Sequence, residues 1–162
     1  MVGFYTTREK KNVRIYDGRW GGSVKSLVLY IDGAARGNPG PAGIGAVIFD
    51  ENDNVMAEIH EYIGETTNNV AEYQALIRGL KEAGGYAPVA IAIYSDSQLL
   101  VRQITGVYRV RHPNLLPLHQ EALALLRGFA NFQINHIPRE KNKRADKLAN
   151  KGIDEKLKKM LP

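Results

Sequence analysis

The chain has 162 residues, enough for one domain with a hydrophobic core, and 44% of them are hydrophobic while 24% are charged. It contains no cysteine, which excludes disulfides, thiolate metal sites and a cysteine nucleophile. No segment reaches the roughly 18 apolar residues of a membrane span, and the first residues lack the apolar core of a secretory signal. We therefore expect a soluble, cytoplasmic protein.

The charge is unevenly distributed along the chain. The net charge of +5 combines +3 for residues 1–23, −6 for residues 24–96 and +8 for residues 97–162. An acidic middle between basic ends suits a metal site that must also hold a polyanion, although an uneven solvated surface would have the same pattern.

Residues 1–23 are predicted to form a basic N-terminal extension. Two short runs that contain aromatic residues, 3–7 and 13–16, flank the basic turn 8–12 and indicate a small hairpin. Aromatic rings between Lys and Arg side chains are typical of nucleic-acid contacts. An edge hairpin with no binding role explains the same pattern.

The next segment predicts a second hairpin. An apolar run, residues 27–31, ends at Asp32, and a turn rich in Gly, Pro and Asn leads to another apolar run, residues 46–49. This pattern places the carboxylate of Asp32 where the first strand leaves the sheet. A third strand is predicted over residues 54–63.

A helix with a regular apolar face follows the three strands. Val70, Tyr73, Ile77 and Leu80 recur at helical spacing, and Gly84-Gly85 ends the helix. Asn69 is a suitable N-cap, and Glu72 lies three residues later, the spacing of a capping box. Glu72 therefore has a purely structural explanation.

The second half alternates strands and helices. Residues 89–94 predict a strand covered on both faces, and Asp96 or Ser97 can cap the short helix 98–104 that follows. Next come a helix over 113–129, a strand over 132–137 and a last helix that carries Asp146. Gly152 is its predicted C-cap, before a lysine-rich tail, residues 153–162.

This order of elements predicts an α/β fold with one mixed five-stranded sheet and helices on its faces. Sites in such sheets form beyond the strand ends, where Asp32 and Asp96 fall. If these acids converge with Glu72 and Asp146, they repel one another unless divalent cations lie between them. Oxygen ligands without cysteine favour Mg²⁺ or Mn²⁺.

At these residues the chain resembles the type 1 ribonucleases H. The resemblance covers residues 26–152 and rests on five motifs in order: YIDG (30–33), RGNPGPAG (36–43), TTNNVAE (66–72), SDSQ (95–98) and NKRADKLA (142–149). It implies a ribonuclease H-like fold, with residues 24–152 as the catalytic domain. It also implies an endonuclease that hydrolyses the RNA strand of RNA–DNA hybrids with two Mg²⁺ ions, for which Mn²⁺ can substitute, and leaves 5′-phosphate and 3′-hydroxyl ends.

The resemblance also implies roles for individual residues. Asp32, Glu72, Asp96 and Asp146 would be the catalytic acids and metal ligands, with Asp32 shared by both ions. Nucleic-acid contacts would come from Asn38, Thr67, Asn68, Asn69 and Gln98, with Thr67 at a DNA phosphate and the others at ribose 2′-hydroxyls. Turn and cap chemistry offers a structural explanation for the asparagines.

The chain departs from the family pattern in two places. The loop before Asp146, residues 138–141, carries no histidine, and His136 is read as a strand residue without a role. The segment 98–113 is too short for the basic protrusion that some members have, so the chain resembles the compact subgroup. Residues 4–20 resemble part of a hybrid-binding module, at roughly half its length.

Two alternative functions remain open at this point. One is a nuclease of the same fold that cuts double-stranded RNA or another structured nucleic acid, and the other is an inactive nucleic-acid-binding module. The asparagines favour a strand with ribose, and the four retained acids speak against a pure binder, because they would repel phosphate. We expect a monomer that binds an RNA–DNA hybrid and no membrane.

Overall fold

The computed structural model describes residues 25–162 in full and residues 5–10 and 13–18 as backbone strands. The seven described strands are β1 (Tyr5–Lys10), β2 (Val13–Gly18), β3 (Ser26–Ala35), β4 (Gly40–Asp50), β5 (Val55–Thr66), β6 (Ala90–Ser95) and β7 (Asn131–His136). The four described α-helices are α1 (Asn68–Gly84), α2 (Gln98–Ile104), α3 (Leu116–Arg127) and α4 (Lys143–Lys159). A short 3₁₀ helix, Arg139–Lys141, precedes α4.

The strands form one mixed sheet in the order β1-β2-β5-β4-β3-β6-β7. β3, β4 and β5 pair antiparallel, whereas β6 pairs parallel to β3 and β7 parallel to β6. The predicted α/β fold with a mixed five-stranded sheet is therefore confirmed for β3 to β7. The hairpin β1–β2 extends this sheet, because β2 pairs with β5 over Val13–Ile15.

Helices cover both faces of the sheet. α1 packs on the face that carries Leu29 and Ile31, and it approaches closely at Gly79, where a Cβ would lie 2.9 Å from Leu29 Cδ1. α4 packs on the other face of the sheet, at Gly45. Ile48 pairs with Leu29 and lies on the same face as that residue. Because residues alternate between the two faces along β4, position 45 lies on the other face. The residues around the carboxyl end of β3 are thus held between two helices.

The first strand of the core extends beyond its predicted end. β3 continues through Asp32 to Ala35, because β4 supplies a partner over this whole length. The parallel pairing with β6 stops at Ile31 and Ser95. The sequence predicts Asp32 as the last residue of this strand, which is wrong. Asp32 is instead the first residue of β3 that no longer pairs with β6.

Two predicted helix signals are wrong. The N-cap of α1 is Thr67 rather than Asn69, since the Thr67 side chain accepts a hydrogen bond from Val70 N. Glu72 therefore does not belong to a capping box. Gly152 is not a C-cap: it lies inside α4, where a Cβ would come within 2.7 Å of the Glu61 backbone.

The other element boundaries lie within a few residues of the boundaries predicted from the sequence. α1 ends at Gly84 with Gly85 as its C-cap, and Ser97 rather than Asp96 caps α2. β5 is longer than predicted, and α3 is shorter at both ends. Within the described residues, none of the helices combines the length and apolarity needed to cross a bilayer.

Candidate active site

Three of the predicted acids meet at one point of the fold. Asp32, Glu72 and Asp96 each offer a carboxylate oxygen, and these oxygens all lie within 4.8 Å of one another. Asp32 lies on β3, Glu72 in the second turn of α1, and Asp96 between β6 and α2. Asp32 and Glu72 are buried, with 5% and 8% of their surfaces exposed, and Asp96 is half-buried.

Gly33 makes this meeting sterically possible. A Cβ at Gly33 would lie 2.2 Å from the carbonyl carbon of Ala71, so only glycine lets α1 approach β3 this closely. Because Ala71 precedes Glu72, the close approach brings the Glu72 side chain beside Asp32. The glycine that follows the acid in the sequence is thus part of the site's construction.

Asp146 lies beside this group without belonging to the triplet. It is in the first turn of α4, close enough to Asp32 to raise the pKa of that carboxyl group. We name Asp32, Glu72, Asp96 and Asp146 the acid cluster. The structure therefore brings together all four acids that the sequence singles out.

The protein environment disfavours ionisation of the acid cluster. Burial, followed by the charges of Asp96 and Asp146, raises the pKa of Asp32 to about 8. Burial and the charges of Asp32 and Asp96 raise the pKa of Glu72 well above its ordinary value, with the Gly33 backbone acting in the opposite direction. Within the described chain, Glu72 Oε2 is buried without a hydrogen-bond partner.

These properties fit a divalent cation. A cation between the carboxylates would replace their repulsion by attraction and give the unpaired Glu72 oxygen a partner. The donors are carboxylate oxygens, the ligands preferred by Mg²⁺ and Mn²⁺ rather than by softer metals. Asp32, Glu72 and Asp96 can hold such an ion together, and Asp146 lies next to it.

Asn142 is a component of the site to which sequence reasoning assigned no role. It is 1% exposed, and its Nδ2 donates to Ile31 O at 2.8 Å and to Asp96 Oδ2 at 3.2 Å. Its backbone oxygen accepts from Asp146 N at 3.1 Å. One residue therefore connects β3 next to Asp32, the Asp96 carboxylate and the first turn of α4. An asparagine just before a helix indicates a cap, but this side chain makes no cap hydrogen bond.

A second supporting contact orients Asp146. Asn150, one turn later on α4, donates from Nδ2 to Asp146 O at 3.0 Å and lies 3.4 Å from Asp146 Oδ1. Its Oδ1 accepts from Arg36, which also pairs with Asp154 at 2.6 Å. The turn between β3 and β4 is thereby attached to α4. Sequence reasoning identified neither Arg36 nor Asn150 as part of the site.

The proposed nucleic-acid-contacting residues lie near the acid cluster, Asn38 in the turn between β3 and β4 and the others at the starts of α1 and α2. Asn38 Oδ1 accepts from Asn68 N at 3.1 Å, and Asn68 Oδ1 accepts from Ala35 N at 2.9 Å. Both Nδ2 groups make no hydrogen bond within the described residues. Asn69 is exposed on the first turn of α1, and Thr67 caps that helix. Gln98 is exposed as the first residue of α2, two residues after Asp96.

His136, the histidine nearest to the last motif, is exposed at the end of β7. This agrees with its interpretation as a strand residue. The segment between it and α4, residues 137–142, contains the 3₁₀ helix and no histidine.

The chain matches a family model described as reverse transcriptase-like over residues 30–152. It is 44% identical over 129 residues to the bifunctional protein Rv2228c of Mycobacterium tuberculosis, a match that covers 79% of this chain and 35% of that protein. The chain thus spans about a third of the length of its mycobacterial relatives.

Two other proteins match over nearly their whole length. A ribonuclease H of Coxiella burnetii is 36% identical over 147 residues, which cover 82% of this chain and 92% of the relative. The crystal structure of LC11-RNase H1 in complex with an RNA/DNA hybrid is 47% identical, with a TM-score of 0.77. That match covers 81% of this chain and 99% of the LC11 chain. The chain belongs to the reverse transcriptase-like family and, within it, to the ribonucleases H.

Proposed function

We propose that this chain is an endonuclease that hydrolyses the RNA strand of RNA–DNA hybrids with Mg²⁺ ions and leaves 5′-phosphate and 3′-hydroxyl ends. The observation that carries this proposal is the meeting of Asp32, Glu72 and Asp96 within 4.8 Å of one another. The proposed substrate is inferred from similarity, because LC11-RNase H1, which is 47% identical to this chain, was solved in complex with an RNA/DNA hybrid.

The acid cluster would hold two Mg²⁺ ions, or Mn²⁺ in their place. Asp32 would be shared between them, Asp146 would serve the ion on the side of the attacking water, and Glu72 and Asp96 the other. Ions bound in this way lower the pKa of water and stabilise the charge on the leaving oxygen.

The residues of the chain itself prepare the site for this chemistry. Asn142 keeps the Asp96 carboxylate in a fixed orientation and ties it to the backbone beside Asp32. Asn150 Nδ2 lies 3.4 Å from Asp146 Oδ1 and also donates to the backbone oxygen of Asp146. Without bound cations, the clustered carboxylates repel a phosphodiester, so cleavage should depend strictly on the metal.

Recognition of the RNA strand would use the amide groups at the start of α1. The Oδ1 atoms of Asn38 and Asn68 are engaged with backbone N–H groups, which orients their Nδ2 donors. Such donors can bond to a 2′-hydroxyl oxygen, which DNA lacks. Asn69 and Gln98 would add contacts to ribose, and Thr67 would contact a phosphate of the DNA strand.

We also propose a division of the chain into a basic extension (1–23), a catalytic domain (24–152) and a basic tail (153–162), acting as a cytoplasmic monomer. The tail continues α4 as far as Lys159. Size-exclusion chromatography with light scattering tests the monomer.

One assay tests the proposed function. End-labelled RNA–DNA hybrid, double-stranded RNA, single-stranded RNA and DNA are each incubated with Mg²⁺, Mn²⁺ or EDTA. We expect cleavage of the hybrid only, only with metal, and at internal positions of the RNA strand. The Asp32→Asn variant should be inactive, and Glu51→Gln, a change at an exposed turn acid, should be fully active.

Cleavage of the hybrid in excess EDTA, or by Asp32→Asn at the parent rate, would refute the metal mechanism. Cleavage of double-stranded RNA at a rate comparable to that of the hybrid would support the broader nuclease. Hybrid binding without cleavage under any metal condition would support an inactive binding module.

A further inference from the structure

Arg36, in the turn between β3 and β4, is joined to the helix that carries Asp146. Its Nη2 donates to Asn150 Oδ1 at 3.2 Å, and its Nη1 lies 2.6 Å from Asp154 Oδ1. Asp146, Asn150 and Asp154 are spaced four residues apart on α4, so they lie on one face of the helix. The guanidinium group therefore spans two successive turns of α4, next to the turn that holds Asp146.

The backbone of the turn is closely packed around Arg36. Its N–H donates to Pro41 O at 2.8 Å, and a Cβ at Gly40 would lie 2.0 Å from Arg36 O. An exposed ion pair usually adds little stability, because ordering two side chains costs entropy and water screens their charges. Here the side chain starts from a fixed backbone, and its planar fork meets two acceptors at once. Such a contact can determine orientation even where it stabilises the fold only slightly.

The guanidinium group determines which way the Asn150 amide faces. Arginine has only donors, so the part of the amide that faces Arg36 must be the oxygen, Oδ1. The Nδ2 group then faces Asp146, where it donates to the backbone oxygen at 3.0 Å and lies 3.4 Å from Oδ1 of the carboxylate. A reversed amide would place oxygen against oxygen at Asp146 and donor against donor at Arg36. Both neighbours thus select the same orientation of Asn150.

Asn150 connects Arg36 to Asp146 without neutralising the carboxylate. Within the described residues, no Lys or Arg side chain forms an ion pair with Asp146, which therefore keeps the charge that a cation needs. A direct pair between Arg36 and Asp146 would compete with a cation for the carboxylate. The neutral amide avoids this competition, and Asp154 offsets the charge of Arg36. The arrangement suits a carboxylate that must face in one direction and remain free for a metal.

We propose that Arg36 is a positioning residue for the metal site: through the amide of Asn150, it fixes the direction in which Asp146 faces a divalent cation. Groups that orient a metal ligand change metal affinity although they do not touch the ion. This inference rests on the function proposed above, because it takes the acid cluster as a metal site.

Binding of Mn²⁺ to the full chain without nucleic acid tests this role, with free Mn²⁺ measured from its electron paramagnetic resonance signal. Asp146→Asn identifies the binding step to which Asp146 contributes. Arg36→Met removes every donor of the side chain and should weaken that step about threefold, whereas Asn150→Ala should weaken it about tenfold. Because Arg36 acts through Asn150, Arg36→Met should cause no further loss in the Asn150→Ala background.

The sign of the change separates positioning from charge. Removing a positive charge near the acid cluster should by itself strengthen the binding of a cation. Lys151→Met is the matched control, since it makes the same kind of replacement on α4 at a side chain that is 49% exposed and lies 3.9 Å from Glu155. It should leave Mn²⁺ affinity unchanged or raise it. Equal or tighter binding by Arg36→Met, or additive losses in the double variant, would overturn the proposal.

A second measurement requires no metal. In EDTA, NMR spectra report the side-chain NH₂ group of Asn150 and the carboxyl carbon of Asp146. Arg36→Met should shift both signals, whereas Lys151→Met should leave the Asp146 signal unchanged. Unchanged signals in Arg36→Met would overturn the proposal. If the parent binds no Mn²⁺, the proposed function is contradicted, and the NMR comparison still decides whether Arg36 orients these groups.

A direct contact between Arg36 and the hybrid is the alternative, because the side chain is 40% exposed and Asn38 lies in the same turn. In that case Arg36→Met would raise the KM for the hybrid at saturating Mn²⁺ and leave Mn²⁺ affinity unchanged. This result would assign Arg36 to substrate binding and overturn the proposed positioning role.

Discussion

At the scale of single residues, the acid cluster brings together carboxylates whose mutual repulsion the other described residues do not compensate. Asp32 lies beside three other carboxylates, and burial raises its pKa to about 8. A group whose pKa is higher in the folded than in the unfolded chain binds a proton more tightly when folded. Ionising it therefore lowers the free energy of unfolding.

The first prediction concerns this dependence of stability on pH. In EDTA, the free energy of unfolding should be highest below about pH 4 as far as Asp32 contributes, and should fall as pH rises toward about 8. Asp32→Asn should remove much of this fall and be more stable than the parent at pH 8, by on the order of a few kcal/mol. Urea unfolding at pH 5 and pH 8 measures both effects.

Glu51→Gln is the matched control, because it removes an exposed carboxylate from a turn. Its pH dependence should follow that of the parent. The electrostatic explanation fails if Asp32→Asn and the parent lose the same stability between these two pH values.

At the scale of elements, the start of α1 separates a structural role from a chemical one. Thr67 caps the helix through Val70 N, and Glu72 lies in the second turn, buried against Asp32. The sequence pattern had assigned the structural role to Asn69 and Glu72. The two roles therefore belong to different residues.

We predict that these roles can be separated by mutation. Thr67→Ala should lower the free energy of unfolding by about 1 kcal/mol through loss of the cap, and Thr67→Ser should restore it. Glu72→Gln should be at least as stable as the parent in EDTA, because it removes a buried carboxyl group whose ionisation burial and the neighbouring acids oppose, but should lose hybrid cleavage. Denaturant unfolding and the hybrid assay measure the two properties independently. A Glu72→Gln variant that melts lower yet cleaves normally would show that Glu72 is structural.

The packing of α4 on β4 determines where Asp146 lies. A Cβ at Gly45 would come within 2.2 Å of Ala145 O, a backbone atom that cannot rotate away as a side chain can. The helix would have to shift as a unit. Because Asp146 follows Ala145, that shift would move its carboxylate relative to Asp32.

We therefore predict that Gly45→Ala destabilises the protein by about 1–3 kcal/mol and also reduces hybrid cleavage. Gly84→Ala is the control, since a Cβ there meets nothing within 4 Å and lies at the end of α1. It should be neutral or stabilising by up to about 1 kcal/mol. Equal stability of Gly45→Ala and the parent would contradict the close packing of α4.

At the scale of the whole molecule, the hairpin β1–β2 continues the sheet beyond β5. β2 pairs with β5 only over three residues, Val13–Ile15. The extension carries five Lys and Arg residues, and the compact chain lacks a basic protrusion. It can contribute to binding of a polyanion, to protection of the β5 edge, or to both.

The last prediction distinguishes these contributions. Replacing Arg8, Lys10, Lys11 and Arg14 by glutamine should weaken hybrid binding and reduce the slope of log affinity against log salt by about two units. Cleavage at saturating hybrid should change little, because the acid cluster is untouched. Replacing Lys151, Lys156, Lys158 and Lys159 in the same way removes the same number of charges at the other end of the chain and should reduce the slope by less. An unchanged slope in the four-residue variant would refute a contribution of these charges to hybrid binding.

Deletion of residues 1–22 tests the structural role of the hairpin. A large fall in melting temperature after deletion, together with an unchanged slope in the glutamine variant, would show that the hairpin only completes the sheet. Retained stability with a reduced slope would show that its charges serve binding.

Much of the site was predictable because the chain marks it locally. Asp32 directly follows an apolar run, Asp96 follows another, and Asp146 lies beside Ala145 on an apolar helix face. Strand and helix periodicity then place these acids at the same end of the sheet. Glu72 was identified for its place in a motif, although its capping-box explanation was wrong.

The residues that support the acids were not predictable in the same way. Asn142 and Asn150 look like ordinary polar residues of a helix start and a helix surface, and Arg36 like a turn residue. Their roles depend on partners far away in sequence: Asn142 bonds to Ile31, 111 residues earlier, and Arg36 to Asn150, 114 residues later. The role of Gly152 likewise depends on a residue remote in the sequence. A glycine near the end of a helix predicts a C-cap, but Gly152 instead leaves room for the backbone of Glu61.

The sequence by itself determined the order and type of the elements, the chemistry of the oxygen-only acid cluster and the family, because these depend on periodicity and on motifs a few residues long. Only the tertiary structure decided how far β3 runs, which residue caps α1 and how Asn142 connects three elements. These features arise when separate elements pack together, and the distances between residues remote in the chain are set by that packing rather than by any local pattern.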